Sequence, residues 1–258
     1  MFLRKIVEER KKRIEEKMRR LSLSEIRERS EKSLPPRNLM EAFSRRDAIA
    51  LFAEIKFASP SAGVIKTGGD PVPIAIAYES AGASAISVLT EPCYFKGELS
   101  HLTSVTRRTS VPVLQKDFIV DPFQIYEGRA AGADSVLLIA ALLEKEELKD
   151  FVNLAQGLGM IPLVEIHDED DLEKVWDLSL PLLGINNRNL KTLEVDLETT
   201  FRLRKKLPLE TKVVSESGIR GIEDIRKIRS AGADAVLIGE VLMRSADPAA
   251  AIRGLLQG

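Results

Sequence analysis

Apolar and polar positions follow two different periods along this chain. From residue 50 onward, eight short apolar runs each precede a stretch with helical periodicity. Runs that are apolar throughout indicate parallel strands buried on both faces, and their alternation with helices indicates a parallel sheet. The predicted strands are 50–57, 84–90, 112–118, 134–140, 160–166, 182–187, 211–216 and 234–239.

The first 48 residues do not follow this alternation and form a predicted N-terminal helical extension. Residues 2–21 carry apolar side chains at helical spacing, among them Leu3, Ile6 and Ile14. Their Lys and Arg outnumber Asp and Glu, but the signs are mixed, which favours a solvated helix face over a nucleic-acid-binding arm. Two prolines at 35–36 interrupt the pattern, and residues 38–45 predict a short second helix.

An internal repeat in the sequence favours a closed α/β barrel over an open sheet. Similar segments begin with Ala-Gly-Ala at residues 81, 131 and 231. If one βα unit averages about 25 residues, the copies contain strands two, four and eight of eight. Asp-Pro pairs at 70–71, 121–122 and 247–248 predict helix starts. We therefore predict a (β/α)8 TIM barrel, a single domain over residues 1–258 with residues 1–48 as its extension. An open doubly wound sheet is disfavoured because no glycine-rich phosphate fingerprint follows the first strand.

Composition narrows the class of protein. The 258 residues include 38 basic and 39 acidic side chains, a net charge of −1, so nothing indicates general attraction to nucleic acid or membranes. The single cysteine, Cys93, excludes an intrachain disulfide and favours a reducing cytoplasm. No apolar run has the length of a transmembrane helix, and the N-terminus has no signal-peptide core. The two histidines, His101 and His167, are far apart and near no cysteine cluster, so no metal is expected.

Polar residues at the ends of the predicted strands indicate where the chemistry lies. A barrel of this type places its active site at the carboxyl ends of its strands. The residues found there are Glu54, Lys56, Lys116, Glu165, Asn186 and Glu216. Glu54 and Lys56 on their own would be interpreted as a buried structural ion pair. Six such groups on one rim favour an active site over a structural charged plug.

The residue types favour acid–base catalysis. This set lacks a Ser/His or Cys/His nucleophile pair, and Ser59, Ser61 and Ser217 near the strand ends have no nearby histidine, which disfavours a hydroxyl nucleophile. Lysine and glutamate suit general acid–base chemistry next to a carbonyl group. A lysine in a dry pocket or beside another cation is expected to lose basicity. A Schiff base on Lys116 or Lys56 is the alternative role.

Two loops suit phosphate binding. Ser217 and Gly218 follow strand seven, and Gly239 and Glu240 follow strand eight. Barrels often hold a substrate phosphate between these loops through backbone N–H groups. We expect Glu240 to contribute its N–H and to turn its carboxylate outward.

A third loop, residues 59–70, contains several glycines. Its length and composition indicate either a mobile lid over the rim or a plain connector.

The motifs at these positions resemble the indole-3-glycerol phosphate synthase family of tryptophan biosynthesis. The similar segments are AEIK at 53–56, SPS at 59–61, VLQKDF at 113–118, VEI at 164–166, GINNRNL at 184–190, VSESGI at 214–219 and LIGE at 237–240. They occur in order over nearly the whole chain, and the N-terminal extension is also a feature of that family. Phe57, Ala62 and Gln115 depart from the family pattern, which has basic residues at these positions.

The resemblance implies a substrate and a reaction. The substrate would be 1-(2-carboxyphenylamino)-1-deoxyribulose 5-phosphate, which undergoes ring closure, loss of CO₂ and loss of water to give indole-3-glycerol phosphate. No cofactor is implied. A cytoplasmic monomer that binds a small phosphosugar, and neither nucleic acid nor membrane, is expected.

The resemblance also implies a role for each site residue. Lys116 would be the general acid of ring closure, and Glu165 the acid–base group of dehydration. Lys56 would pair with Glu54 and face the anthranilate carboxylate or the departing hydroxyl, while Asn186 and Glu216 would orient the substrate hydroxyls and the lysines. The binding residues would be Ser217, Gly218, Gly239 and Glu240 for phosphate, Ser59 and Arg188 along the substrate, and Phe95, Phe118 and Leu138 as walls for the aromatic ring. Core packing is the alternative for these last three.

Other functions are also compatible with these sequence features. Another phosphosugar barrel enzyme, such as phosphoribosylanthranilate isomerase or a Schiff-base aldolase, would share the fold and the phosphate loops. The isomerase is disfavoured because it typically uses a Cys/Asp pair, for which Cys93 has no matching early motif. A non-catalytic barrel subunit is a third possibility, because a fold alone does not imply activity.

Overall fold

The predicted barrel is confirmed by the computed structural model, which describes residues 2–44, 48–190 and 192–257. In this part of the chain, eight parallel strands form a closed barrel in which each pairs with the next and the last pairs with the first. Each predicted run forms one strand, and most runs are trimmed by a few residues. The strands are β1 Ala50–Ile55, β2 Ala85–Leu89, β3 Val113–Lys116, β4 Ser135–Ile139, β5 Leu163–Ile166, β6 Leu182–Asn186, β7 Lys212–Glu216 and β8 Ala235–Ile238.

Helices alternate with these strands, and the Asp-Pro signals mark three of their starts. Asp70, Asp121 and Asp247 each cap a helix through the side chain, with proline in the first turn. The α-helices are α1 Phe2–Met18, α2 Leu23–Glu31, α3 Pro71–Ser80, α4 Leu99–Thr106, α5 Pro122–Ala130, α6 Lys145–Gly157, α7 Glu169–Val175, α8 Glu198–Arg204, α9 Ile222–Ser230, α10 Glu240–Arg244 and α11 Pro248–Leu255.

The extension differs from its prediction in two places. The first helix ends at Met18, and a separate helix, α2, follows it. Ser22 and Glu25 form a capping box at the start of α2, a sequence signal that could have identified this helix. Leu39–Phe43 form a 3-10 helix rather than an α-helix, and Arg45 of the predicted range lies outside the described residues.

The repeated Ala-Gly-Ala segments end three helices in the same way. Gly82, Gly132 and Gly232 have φ angles of 102°, 98° and 89°. This region of backbone space favours glycine. The chain can therefore leave α3, α5 and α9 and enter the next strand through a tight turn.

The core has two layers because the side chains of each strand alternate between the barrel interior and the helices. The inner cluster contains Phe52, Leu114, Leu163 and Leu237, and the larger outer cluster packs the strands against the helices. Ile6 of α1 is fully buried in the inner cluster. The extension thus contributes directly to the barrel's own core.

A buried ion pair also connects the extension to β3. Arg10 Nη2 lies 2.9 Å from Asp117 Oδ2, and the two side chains are 5% and 1% exposed. Asp117 accepts a further hydrogen bond from the hydroxyl of Thr90.

Among the described residues, no helix is long and apolar enough to cross a membrane.

Replacing Ile6 tests how strongly the extension is bound. Ile6→Ala should lower the free energy of unfolding by about 2–5 kcal/mol, because it leaves a cavity in a packed core. Leu34, which is 84% exposed, supplies the control, and Leu34→Ala should change stability by less than about 0.5 kcal/mol. Equal urea midpoints for the two variants would contradict the buried placement of α1.

Candidate active site

Strand register brings the predicted polar residues to one end of the barrel interior. Apolar inner residues Leu114, Leu163 and Val214 each lie two positions before a polar residue. Because side chains on a strand alternate, Lys116, Glu165 and Glu216 point into the same interior. They form a polar layer above the inner apolar cluster, at the carboxyl ends of their strands.

Lys116 lies between two carboxylates. Its Nζ is 2.9 Å from Glu165 Oε2 and 2.6 Å from Glu216 Oε2. The lysine side chain is 12% exposed and each glutamate is 2% exposed. Three charged groups from β3, β5 and β7 therefore share one largely water-excluded position.

A second ion pair lies at the end of β1. Lys56 Nζ is 2.7 Å from Glu54 Oε1, and the side chains are 17% and 5% exposed. Glu54 interacts electrostatically with both Lys116 and Glu216. The two ion pairs thus belong to one electrostatic cluster.

The cluster separates the pKa values of its two central glutamates. For Glu165, burial favours the neutral acid, but Lys116 and His167 outweigh it and hold the pKa well below the usual range. Burial raises the pKa of Glu216 to about 7, and the charges of Glu165 and Glu54 add to this effect against the opposing influence of Lys116. Glu165 is therefore ionised at neutral pH, whereas Glu216 can exchange a proton there.

The pKa of Lys116 shifts in the opposite direction to the expectation from the sequence. Burial alone would lower it, but Glu165 and Glu216 outweigh burial and raise it above the usual lysine value. The expectation of a less basic lysine is wrong because it did not include two carboxylates within hydrogen-bonding distance. Lys116 is an ammonium group in this site.

Two glycines make room for the carboxylates. A Cβ atom on Gly184 of β6 would lie 2.4 Å from Glu216 Oε1, and one on Gly239 would lie 2.3 Å from Glu54 Oε1. Any larger residue would displace these carboxylates. Gly239, which the sequence analysis associates with phosphate, thus has a second role beside Glu54.

The charged layer forms the floor of a cavity of about 410 Å³. Its apolar wall includes Leu3 of α1, Phe95, Phe118, Leu137 and Ile139. The rings of Phe95 and Phe118 have centroids 5.9 Å apart. The cavity therefore combines an ionic floor with a wall that suits a flat apolar group.

Leu138 does not belong to this wall. It is fully buried in the outer cluster, whereas its neighbours Leu137 and Ile139 line the cavity. The prediction for Leu138 is wrong by one position of strand register.

Two departures from the family pattern, Gln115 and Phe57, are also buried and do not line the cavity. These departures therefore lie away from the cavity that contains Lys116.

The remaining predicted residues line the cavity at its rim. Ser59 Oγ accepts a hydrogen bond from the backbone N–H of Ala62, and Asn186 Oδ1 accepts one from the N–H of Arg188. Arg188 donates to the carbonyl of Leu193. All three predicted residues border the same space as Lys116.

The loops after β7 and β8 form the other end of the cavity. Ser217 and Gly218 have φ angles of 66° and 82°, and this left-handed backbone is uncommon for serine. Glu240 Oε1 accepts a hydrogen bond from Arg244 Nε, 2.9 Å away. Arg220 and Arg244, which the sequence analysis did not identify, also line this end.

His167 lies at the edge of the site and is also absent from the residues predicted from the sequence. It follows β5, and its Nε2 lies 3.1 Å from Glu165 Oε1. Its position two residues after Glu165 is the signal that could have identified it, because residues two apart on a strand share a face.

Among the described residues, no three His, Cys, Asp or Glu side chains are grouped so as to hold a metal ion.

The fold and the site together define a (β/α)8 barrel with buried lysine–glutamate ion pairs at the carboxyl ends of its strands. Residues 3–255 match the family model described as indole-3-glycerol phosphate synthase. The chain belongs to the indole-3-glycerol phosphate synthase family. The family predicted from the motifs is thereby confirmed, and with it the enzyme class, a carboxy-lyase of tryptophan biosynthesis.

Individual relatives agree with this assignment. The chain is 44% identical to an indole-3-glycerol phosphate synthase of Ruminiclostridium cellulolyticum over 256 residues, covering 99% of this chain and 98% of the relative. It is 48% identical to one of Desulfotalea psychrophila over 210 residues, covering 81% of each. Among solved structures, a 3-hexulose-6-phosphate synthase is similar, with a TM-score of 0.65 and 18% identity, covering 81% of this chain and 99% of that chain. This last similarity concerns the fold alone.

A substitution at Gly184 tests the space reserved for Glu216. Gly184→Ala should destabilise the protein by about 1–3 kcal/mol, because the added methyl group overpacks the barrel interior. Gly157 is a matched control in α6, where an added Cβ meets no atom within 4 Å, and Gly157→Ala should stabilise by about 0.5–1 kcal/mol. Urea unfolding measures both, and a Gly184→Ala variant as stable as wild type would refute the close approach.

Proposed function

We propose that this chain closes the indole ring of 1-(2-carboxyphenylamino)-1-deoxyribulose 5-phosphate and releases indole-3-glycerol phosphate, CO₂ and water. The observation that carries the proposal is the buried Lys116 ammonium between Glu165 and Glu216, at the floor of a cavity with aromatic walls. Family membership supports the same reaction.

Lys116 is the general acid of ring closure. In this step the aromatic carbon that bears the carboxylate attacks the ketone carbon, and negative charge develops on the ketone oxygen. A lysine of raised pKa does not protonate a resting ketone, but it readily protonates the alkoxide as that forms. Loss of CO₂ then restores the aromatic ring.

Glu165 and Glu216 complete the proton transfers of dehydration. This step removes the new hydroxyl group together with one proton from the neighbouring carbon, which is attached to nitrogen. Glu165, which is ionised at neutral pH, is the acid–base group of this step: it accepts the carbon-bound proton and passes it to the departing hydroxyl, which leaves as water, so that Glu165 ends the step ionised again. Glu216, with a pKa of about 7, returns a proton to Lys116 between turnovers and, with Asn186, orients the substrate hydroxyls.

Lys56 neutralises the anthranilate carboxylate or assists the departing hydroxyl. Its ion pair with Glu54 at 2.7 Å fixes the direction of the ammonium group. Phe95 and Phe118 bound the aromatic ring of the substrate, and Ser59 and Arg188 line the chain that connects the ring to the phosphate.

The phosphate binds at the loops after β7 and β8. Backbone N–H groups of Ser217, Gly218, Gly239 and Glu240 supply hydrogen bonds there. Arg220 and Arg244 add positive charge at the same end. The carboxylate of Glu240 is engaged by Arg244, which reduces its repulsion of the phosphate.

A Schiff-base aldolase is the second candidate, and the charge of Lys116 argues against it. Imine formation needs a neutral amine, whereas two carboxylates stabilise the ammonium form of this lysine. A borohydride trap distinguishes the two, because only the aldolase leaves a covalent adduct on Lys116.

We also propose that the enzyme acts as a cytoplasmic monomer and without nucleic acid. The near-zero net charge and the single cysteine support this proposal. Light scattering after size exclusion should give the 28.6 kDa mass of one chain.

Lys116→Met tests the assignment of the general acid. The variant should lose activity by at least about 10²–10⁴-fold, while a phosphate-bearing substrate analogue still binds. Indole fluorescence after addition of the carboxyphenylamino ribulose phosphate measures turnover. Lys149→Met on the exposed face of α6 is the control and should match wild type. Turnover of Lys116→Met within tenfold of wild type would overturn the mechanism.

Arg220→Ala tests the charge at the phosphate end. Loss of one charge-assisted contact should raise KM by about tenfold, consistent with about 1.5–3 kcal/mol for a hydrogen bond to a charged group, and should leave kcat within about twofold. Arg226→Ala is the matched control, because Arg226 pairs with Glu223 on the outside of α9. An unchanged KM for Arg220→Ala would remove this residue from the phosphate site.

A further inference from the structure

His167 lies between two carboxylates at the edge of the active site. Its Nε2 is 3.1 Å from Glu165 Oε1, and its Nδ1 is 3.1 Å from Asp171 Oδ2. The imidazole is 8% exposed, and the two carboxylates are 2% and 6% exposed. A neutral histidine would leave two buried anions without this compensating charge.

The surrounding groups favour the imidazolium form. Burial lowers the pKa of His167, but Asp171 and Glu165 outweigh it and raise the pKa to about 9. Lys116 from β3 is a second cation that interacts closely with Glu165. Lys174, on the same helix as Asp171, donates instead to the carbonyls of Ala140 and Leu143.

Glu165 consequently has one cation at each carboxylate oxygen. Lys116 contacts Oε2, and His167 lies beside Oε1. Glu216 also forms an ion pair with Lys116. Burial and the neighbouring charges of Glu165 and Glu54 nevertheless raise the pKa of Glu216. Of the two glutamates that hold Lys116, Glu165 therefore has His167 as a further cation beside it, whereas Glu216 lies near the anion Glu54.

We propose that His167 is a positioning residue that acts on the reaction through Glu165, by holding a permanent positive charge beside this carboxylate. The proposal rests on the proposed function. When Lys116 gives its proton to the substrate oxygen, it loses its charge and no longer stabilises either glutamate. His167 keeps its charge, so Glu165 remains an anion able to accept the carbon-bound proton. In the described part of the chain, Lys116 is the cation paired with Glu216, and Glu216 is the group that exchanges a proton with Lys116.

The charge of His167 can be measured without turnover. The chain contains two histidines, His101 and His167, so His101→Gln leaves a single imidazole for NMR titration. His101 packs on Phe57, away from the charged cluster. The imidazole of His167 should titrate near pH 9, and Asp171→Asn should lower the midpoint by at least about 1 unit, since an opposite charge within a few ångströms shifts a pKa by about 1–3 units. A midpoint at or below 7 in the His101→Gln protein would overturn the proposal.

The pH dependence of turnover tests whether the charge matters to Glu165. The acid limb of kcat/KM reports the pKa of the essential base in the free enzyme. His167→Gln removes a cation beside Glu165, so the pKa of Glu165 should rise from its low value by about 1–3 units and this limb should move to higher pH. The same variant should lower kcat about tenfold and change KM less than twofold, because His167 does not contact the substrate.

Three comparisons keep the outcomes separate. His101→Gln should have the wild-type profile, and Asp171→Asn, which keeps the side-chain shape, should shift the acid limb in the same direction as His167→Gln but less. An acid limb that stays in place in both His167→Gln and Asp171→Asn would overturn the proposal. Absence of indole formation by the wild type would refute the proposed function, and the NMR midpoint would still report the charge of His167.

Discussion

The structure of the site depends on one buried ammonium group that is shared by two carboxylates. Lys116 neutralises one negative charge, but Glu165 and Glu216 would supply two. Because buried charges are stable only when compensated, the surroundings must balance the excess. His167 also lies beside Glu165, whose pKa stays well below the usual range, whereas burial and the charges of Glu165 and Glu54 raise the pKa of Glu216 to about 7. The asymmetry between two chemically identical side chains thus follows from what lies beside each of them.

Glycines at two positions, which have no side chains, leave space in the barrel for this cluster of charged groups. Inner positions of neighbouring strands approach closely, so a carboxylate on one strand needs a gap on the next. Glu165 pairs in register with Gly184, and Gly184 in turn leaves room for Glu216. Gly239 does the same for Glu54 after β8. Glycine in these strands therefore serves the packing of charged groups and not chain flexibility.

Much of the fold and of the ionic floor could be predicted from the sequence because both follow short-range rules. Strand periodicity located all eight strands, and the polar residue ending each run placed Lys116, Glu165 and Glu216 together. The resemblance, and not this rule, placed Leu138 at the cavity wall, and the structure gives the core-packing alternative, since a shift of one residue in register moves a side chain to the other face. The increased basicity of Lys116 could not be inferred because it depends on distances to residues that lie 49 and 100 positions away in sequence.

The contribution of the N-terminal extension illustrates the second limit of the sequence. Its helical period predicts an apolar face but not the surface that this face covers. In the structure, α1 brings Leu3 to the cavity wall and Arg10 to Asp117, the residue directly after Lys116. Removing either partner of the pair would leave a buried charge uncompensated beside Lys116. The extension is therefore coupled to the position of Lys116, and the apolar wall of the substrate cavity includes a side chain from a segment outside the eight βα units.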